Sequence, residues 1–200
     1  MTMVSTLRCL PLVLALAVGS ANAATTGPAP DFSVTDTVGK PVRLSDYKGK
    51  FVVLEWTNPE CPFVRKHYDS NNMQGLQKEF GARDVVWLAI NSTNQSSGEF
   101  KSGAQMDAWL KSQGAAPKAA LIDASSETGR AYAAKTTPHM FVVDPAGKII
   151  YAGAIDDKRS ANPADTKMAK NYVRTALNES LAGKPVTVAS TAPYGCSVKY

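Results

Sequence analysis

The stretch that most constrains the fold of this chain is an apolar run that leads within a few residues to a helix start. Residues 51–56 read FVVLEW, which is typical of a buried β-strand, and TNPE then connects them to Cys61 and Pro62. Proline suits the first turn of a helix, where its missing N–H is not needed. The sequence therefore predicts a strand that delivers Cys61 to the N-terminus of a helix.

A cysteine in that place is a candidate nucleophile. Backbone N–H groups without intrahelical partners and the positive end of the helix dipole stabilise the thiolate, which is the reactive form of cysteine. Arg65 lies four residues further on and shares the helix face of Cys61, so we expect it to support the site. Lys66 and His67 rotate away from that face, and we expect both on a solvated helix surface.

Residues 1–23 have the features of a secretory signal peptide. Arg8 is their only charged side chain, residues 10–18 form an apolar core, and the segment ends with small residues at Ala23. The apolar core is short for a membrane span. A lipid anchor would need a cysteine after the core, whereas Cys9 precedes it. We therefore predict an exported protein, periplasmic or secreted, without membrane attachment after cleavage.

Cleavage would leave two cysteines, Cys61 and Cys196, in a compartment where disulfides persist. Cys196 lies in a C-terminal tail that can fold back, since closing a long loop costs only slightly more than closing a short one. Two interpretations stay open. Either Cys196 resolves an intermediate formed on Cys61, or the two cysteines form a permanent structural disulfide.

The charge pattern argues against a nucleic-acid partner. The formal net charge is +5, but the basic residues are scattered rather than clustered. The sequence does not indicate an oligomeric state.

The chain after the signal peptide has the pattern of one domain. We assign residues 24–30 to a flexible lead-in, residues 31–184 to the domain and residues 185–200 to a tail without periodicity. A short hairpin precedes alternating strands and helices, which is typical of a largely parallel sheet covered by helices. The hairpin is predicted at residues 32–35 and 42–44, the strands at 51–56, 85–90 and 120–122, and the helices from 61 with a break at 70–72, then at 73–80, 104–113 and 127–134.

Two later elements carry turn and cap signals. The sequence DPAG at residues 144–147 suits a type I turn between strands at 141–143 and 148–151. Asn162 as N-cap and Pro163 at the first position begin a last helix, which is predicted to run to Gly183 with Met168 on its inner stripe.

This order of elements, together with four motifs, resembles the thioredoxin superfamily and within it the peroxiredoxin-like redoxins of the AhpC/TSA type. The motifs are APDF at residues 29–32, LSDYKGK at 44–50, CPFV at 61–64 and TPHMFVVD at 137–144. The resemblance implies a thioredoxin-like α/β fold, in which helices flank a central mixed sheet and an N-terminal β-hairpin extends it.

The resemblance also implies a role for Thr137 and Pro138. In that family a proline before the antiparallel strand has a cis peptide bond and faces the reactive cysteine. Pro138 would then form the substrate-side wall, and the backbone of Thr137 would pair with an extended substrate as an added strand. The alternative is an ordinary trans proline that starts an edge strand.

Two departures from the family pattern limit the chemistry. Asn58 and Val64 occupy the positions at which a second cysteine would complete a C-x-x-C motif with Cys61, so direct exchange within such a motif is excluded. Peroxiredoxins place Thr or Ser three residues before the reactive cysteine and Pro seven before, whereas this chain has Asn58 and Leu54. This argues against efficient peroxidase activity. We retain Asn58 as a supporting residue of the site.

The leading hypothesis is an exported thiol-disulfide oxidoreductase or thiol-dependent antioxidant. It would use Cys61 as nucleophile and Cys196 as resolving cysteine, with a peroxide or disulfide substrate, a thiol reductant as partner and no cofactor. The second hypothesis is a redox-inactive accessory protein with a structural Cys61–Cys196 disulfide. The third is a copper chaperone using Cys61 and His139, although one cysteine and one histidine are few ligands for a metal site.

Overall fold

The computed structural model describes residues 27–200, so the predicted signal peptide lies outside the described residues. The strands in this region are β1 (Ser33–Thr35), β2 (Pro41–Arg43), β3 (Val52–Trp56), β4 (Val86–Asn91), β5 (Ala119–Ile122), β6 (Thr136–Thr137), β7 (His139–Val143), β8 (Ile149–Gly153) and β9 (Cys196–Ser197). The α-helices are α1 (Pro62–Asp69), α2 (Asn72–Gly81), α3 (Gly103–Ser112), α4 (Glu127–Ala131) and α5 (Tyr172–Leu181), and 3₁₀ helices span Leu44–Tyr47 and Pro163–Lys167. None of the helices in residues 27–200 combines the length and apolar character that a membrane span requires.

A five-stranded sheet forms the centre of the described region, in the order β5-β4-β3-β7-β8. Strand β3 runs parallel to β4 and antiparallel to β7, so the sheet is mixed. Every residue of β3 and β4 is buried, as expected for strands that are covered on both faces. This is the thioredoxin-like arrangement that the resemblance implies, and β1 and β2 form the N-terminal hairpin that extends it.

Different parts of the chain cover the two faces of the sheet. Because side chains alternate along a strand, Val53 of β3 belongs to one core cluster and Leu54 to the other. Residues of α1, α2, α3 and α5 complete the Val53 cluster. The Leu54 cluster includes Val34 and Val42 of the N-terminal hairpin. The hairpin therefore takes part in burying the face on which those four helices do not pack.

Local capping signals set the helix boundaries around the site. Asn71 adopts the left-handed conformation with φ of 57°, which ends the path of α1 before α2 begins, as the sequence predicts. Ser102 caps α3 through a capping box: its Oγ accepts from Gln105 N at 3.3 Å, and Gln105 Oε1 accepts from Ser102 N at 2.9 Å. Both predicted boundaries are confirmed.

The prediction of one continuous last helix is wrong. Pro163 does begin a helical turn after the Asn162 cap, but this turn is a 3₁₀ helix, and Met168 is exposed rather than turned inward. The α-helix starts anew at α5, because the Asn171 side chain accepts a hydrogen bond from Arg174 N at 2.8 Å. A side chain that caps a new N-terminus competes with continuation of the helix.

We predict that Asn171→Ala lowers the free energy of unfolding by about 1 kcal/mol, the usual effect of losing an N-cap side chain. Urea unfolding at neutral pH measures the change. Asn162→Ala is the matched control, since Asn162 caps only the exposed 3₁₀ turn through Ala164 N. An equal loss in the two variants would contradict the prediction.

Candidate active site

Cys61 lies where the sequence predicts it, between β3 and α1. It is the N-cap of α1, and its carbonyl oxygen accepts from Val64 N and Arg65 N, each at 3.0 Å. Its own N–H donates to Asn58 O at 3.0 Å, which closes the connecting turn. Only 1% of Cys61 is exposed. The thiol therefore has the expected helix-terminal position, but the surrounding chain covers it.

The Thr137–Pro138 peptide bond is cis, as the resemblance implies. The Cys61 Sγ donates a hydrogen bond to the carbonyl oxygen of Thr137 at 2.9 Å. The fold thus brings together residues that are 76 positions apart in the sequence. Thr137 and Pro138 lie beside the thiol, in β6 and directly before β7.

The C-terminal tail occupies the strand edge at which we expect a substrate. Strand β9 pairs antiparallel with β6, with Thr137 opposite Cys196 and Thr136 opposite Ser197. Gly195 has φ of +138°, and a Cβ at this position would overlap the Thr137 carbonyl oxygen. The tail, which the sequence shows only as a segment without periodicity, is therefore a short strand that places Cys196 beside Cys61.

Both cysteines in residues 27–200 are free thiols in this structure. Burial raises the pKa of Cys196 to about 12, and the neighbouring Cys61 side chain adds to the rise. Cys196 therefore stays protonated at neutral pH while Cys61 is unmodified.

Asn58 and Arg65 hold the loop before the thiol. The buried Asn58 donates through Nδ2 to Thr93 Oγ1 at 2.9 Å, and its Oδ1 accepts from Glu60 N at 2.8 Å. Arg65 donates through Nε to Pro59 O at 2.8 Å and forms an ion pair with Glu60 at 3.2 Å. Asn58 belongs to the loop at residues 58–60, and Arg65 contacts this loop. Both side chains therefore support Cys61 through the backbone of the loop.

The expectation that Lys66 and His67 lie on a solvated surface is wrong. Both side chains are fully buried, in a polar pocket with Asp156 and Tyr194. Tyr194 Oη donates to Asp156 Oδ1 at 2.5 Å and lies 3.2 Å from both Lys66 Nζ and His67 Nε2. Spacing along α1 shows only which residues share a face. It does not show that the tail and the chain after β8 cover the outer face.

His67 is neutral in this pocket. Burial lowers the pKa of His67 to about 3, and the positive charge of Lys66 acts in the same direction. Asn72 Nδ2 donates to His67 Nδ1 at 2.9 Å, which assigns the ring proton to Nε2, on the side of Tyr194. The imidazole therefore serves as a hydrogen-bond donor towards the tail.

A second buried acidic group lies beneath α1. The carboxylate of Glu55 accepts from Tyr68 Oη and Trp87 Nε1, each at 2.8 Å, and from Gln77 Nε2 at 3.4 Å. Burial raises the pKa of Glu55 in spite of these bonds. The group is thus paired within the core.

A groove of 740 Å³ runs beside β6 and the tail, and His139 lines it together with Thr136 and Thr191. The Nδ1 of His139 accepts from Lys135 N at 3.2 Å, and burial lowers the pKa of His139 to about 4. Within residues 27–200, no three His, Cys, Asp or Glu side chains gather as a metal site would require. His139 therefore contributes a neutral ring to the groove wall.

The fold and the cysteine beside a cis-proline define a thioredoxin-like protein of the redoxin type. Residues 25–152 match the AhpC/TSA family, and the chain belongs to this family. It is similar to the thiol-disulfide oxidoreductase ResA of Bacillus subtilis (strain 168), with 30% identity over 122 residues, 61% of this chain and 63% of the relative. The chain thus spans less than two thirds of the length of that relative.

Solved structures extend the similarity over more of the chain. An uncharacterized conserved protein from Geobacillus kaustophilus is 28% identical with a TM-score of 0.78, covering 90% of this chain and 94% of that one. The thioredoxin domain of a thiol-disulfide oxidoreductase from Bacteroides vulgatus has a TM-score of 0.51 and 22% identity, covering 77% of this chain and 97% of that one. The second similarity concerns the fold alone.

We predict that Gly195→Ala displaces the tail, because the added methyl group has no room beside the Thr137 carbonyl. Peptide mass spectrometry then follows the alkylation of Cys61 by iodoacetamide. We expect this alkylation to become at least about tenfold faster, because a side chain forced into a disfavoured conformation weakens the docking of the tail by roughly 1–3 kcal/mol. Gly39→Ala is the control, since Gly39 has φ of +85° but open space around it. Equal alkylation rates in the two variants would refute this placement of the tail.

We predict that His67 makes the protein sensitive to acid. Its folded pKa of about 3 lies below the unfolded value of 6.5, so the unfolded state binds more protons between these values. Stability is therefore complete above pH 6.5 and falls as the pH decreases towards 3, by up to about 1.4 kcal/mol per pH unit. His139 acts in the same sense, and Glu55, whose pKa is raised, acts in the opposite one.

The comparison of wild type with His67→Gln isolates this contribution. Urea unfolding between pH 7.5 and 4.5 should give a shallower pH dependence for the variant, whereas parallel curves would show that His67 does not titrate as described.

Proposed function

We propose that this chain is an exported thiol-disulfide oxidoreductase in which Cys61 is the nucleophile and Cys196 the resolving cysteine. The observation that carries the proposal is the register of β6 and β9. It pairs Cys196 with Thr137, the residue whose carbonyl oxygen accepts the Cys61 thiol at 2.9 Å. Two cysteines that both neighbour Thr137, beside a cis-proline, have the placement that exchange with each other requires.

The cycle begins with a reduced protein and a substrate disulfide. The Cys61 thiolate attacks one substrate sulfur, the substrate S–S bond breaks, and the first substrate thiolate leaves. Cys196 then loses its proton and attacks the Cys61 sulfur. The second substrate thiolate leaves as the Cys61–Cys196 disulfide forms. Two electrons pass from the protein to the substrate, and an external thiol reductant restores both cysteines.

The raised pKa of Cys196 supports Cys61 as the attacking cysteine. Burial is the larger cause of the rise, and the neighbouring Cys61 side chain adds to it. Cys196 therefore keeps its proton in the resting protein. It reacts in the second step because β9 places it beside Cys61, whose bond to the substrate sulfur then breaks.

Two observations favour a disulfide over a peroxide as the substrate. The relative from Bacillus subtilis is named as a thiol-disulfide oxidoreductase. Asn58, at the position where peroxiredoxins have Thr or Ser, uses its amide for bonds to Thr93 and to the Glu60 backbone. Both groups of this amide are therefore engaged within the protein, and Leu54 stands where peroxiredoxins have Pro. The signal peptide predicted at residues 1–23 supports a periplasmic or secreted location.

The alternative is a redox-inactive accessory protein in which a Cys61–Cys196 disulfide fastens the tail. The near-complete burial of Cys61 favours it, because a covered thiol meets substrates slowly. The two functions differ in one measurable property. A resolving pair is reduced and reoxidised readily, whereas a structural disulfide resists mild reductant.

We predict that the reduced protein releases two thionitrobenzoate ions per chain from Ellman's reagent. The first comes from attack by Cys61 and the second from resolution by Cys196, a unimolecular phase whose rate does not depend on protein concentration. Cys196→Ser should release one ion and retain a mixed disulfide on Cys61. Absorbance at 412 nm follows both phases, and mass spectrometry identifies the products.

Cys61→Ser is the control for attack at the other cysteine. It should lose the first phase, because burial, the larger cause of the raised pKa of Cys196, remains when Cys61 is replaced. One released ion from wild type, or a Cys61–Cys196 disulfide that persists in dithiothreitol, would contradict the oxidoreductase and support the accessory protein.

A further inference from the structure

The tail is held on both sides of Cys196. Ahead of it, Thr191 N donates to Ala152 O at 3.2 Å on the edge of β8. Beyond it, Asn94 N donates to Lys199 O at 2.7 Å, and Tyr200 Oη donates to Ala134 O at 2.6 Å. Tyr194, two residues before Cys196, is the one residue of the tail at 185–200 that is buried.

The Tyr194 side chain enters the polar pocket beside α1. Its hydroxyl donates to Asp156 and lies within 3.2 Å of Lys66 Nζ and His67 Nε2, and its ring packs edge-on against Phe63 at 5.9 Å between centroids. Burial, followed by the hydrogen bond to Asp156, raises the pKa of Tyr194, so the hydroxyl keeps its proton. These contacts are directional, and they fix the ring in one orientation.

Three residues that contact Tyr194 belong to the same helix as the nucleophile. Lys66, His67 and Phe63 are residues of α1, and Cys61 is its N-cap, whereas Asp156 follows β8. Only Gly195 separates Tyr194 from Cys196, and its close approach to Thr137 leaves little freedom at that point. Helix α1 therefore carries both Cys61 and three of the side chains that hold Tyr194 next to it.

We propose that Tyr194 is a positioning residue of the exchange reaction, whose hydroxyl in the Lys66–His67–Asp156 pocket holds Cys196 against Cys61. The proposal rests on the proposed function, because it assigns a role in the resolving step. In that step the Cys196 proton passes to solvent, a bond forms between the Cys196 and Cys61 sulfurs, and the bond from Cys61 to the substrate sulfur breaks. The electron pair leaves with the substrate thiolate.

The contact of Tyr194 with its pocket should favour the resolving step but slow the entry of a substrate. While Tyr194 is bound, β9 covers Thr137 and Cys61, so an incoming disulfide must displace residues 195–197. Loosening Tyr194 should ease this displacement and speed the first attack. It should also lower the effective concentration of Cys196 and slow the second. A positioning role therefore predicts opposite changes in the two phases.

The test compares Tyr194→Phe with Tyr200→Phe in the two-phase reaction with Ellman's reagent. Both variants keep the aromatic ring and lose a hydroxyl that bonds within the tail region. We expect Tyr194→Phe to slow the second phase about tenfold, the effect of one hydrogen bond of ordinary strength, and to speed the first. The equilibrium of the Cys61–Cys196 disulfide in glutathione buffer should shift about tenfold towards the dithiol. Tyr200→Phe should leave the second phase and the equilibrium within about twofold of wild type.

A second variant covers loss of folding. If the circular dichroism spectrum of Tyr194→Phe differs from that of wild type, His67→Gln replaces it in the test. This variant removes the imidazole partner of the Tyr194 hydroxyl, and we expect it to slow the second phase as well. Unchanged second phases and equilibria in the folded variants, or equal effects of Tyr194→Phe and Tyr200→Phe, would overturn the role of Tyr194. Failure of the proposed function is distinguishable, because wild type itself would then lack the second phase.

Discussion

The carbonyl group of Thr137 is the point on which the arrangement of the site depends. It accepts the Cys61 thiol, and its residue pairs with Cys196 through β9. An edge strand with unpaired N–H and C=O groups attracts another strand, and an open edge beside a reactive thiol is a place for a substrate backbone. Here the chain provides that strand itself. The tail therefore completes the β6 edge and forms part of the candidate site.

Covering α1 with the tail has an electrostatic cost that the pocket around Tyr194 must offset. Lys66 and Asp156 are both buried, and a buried charge is costly unless it is paired and hydrogen-bonded. Lys66 Nζ donates to Lys158 O at 2.5 Å and to Tyr194 Oη at 3.2 Å, and it lies 3.5 Å from Asp156 Oδ2. The tail hydroxyl is thus one of the groups that satisfy this ion pair. Removing the tail would expose Lys66 and Asp156 to solvent. Both groups would also lose their hydrogen bonds to the Tyr194 hydroxyl.

Short-range signals in the sequence predicted much of the fold. The helix start at Cys61 and Pro62, the break at residues 70–72 and the capping box of Ser102 each depend on residues within a few positions, and each is confirmed. The contact between Cys61 and Thr137 spans 76 positions, and only the family resemblance predicted it. Local patterns carry no information about such a contact, because the topology of the sheet creates it.

The errors have a common physical cause. The burial of Lys66 and His67 depends on cover supplied by Tyr194, which is distant in sequence and lies in a segment without periodicity. Strand β9 is two residues long, too short for an alternating pattern to develop. The second helix start at Asn171 was missed for a different reason, since the apolar stripe continued through a cap residue. In each case a tertiary contact or a cap outweighed the pattern along one element.

The tail covers the candidate site, so the proposed cycle requires that the tail move before a substrate reaches Cys61. The tail is fixed at Tyr194 on one side of Cys196 and at Lys199 on the other, so in the proposed cycle the segment that must leave β6 to admit a substrate is residues 195–198. Local opening of a short segment costs far less than global unfolding. Because only this short segment opens, Cys196 stays close to Cys61. The effective concentration of Cys196 at Cys61 therefore remains high. In the proposed cycle, return of β9 to Thr137 and formation of the second disulfide are then one event, because pairing of Cys196 with Thr137 brings its sulfur back to Cys61.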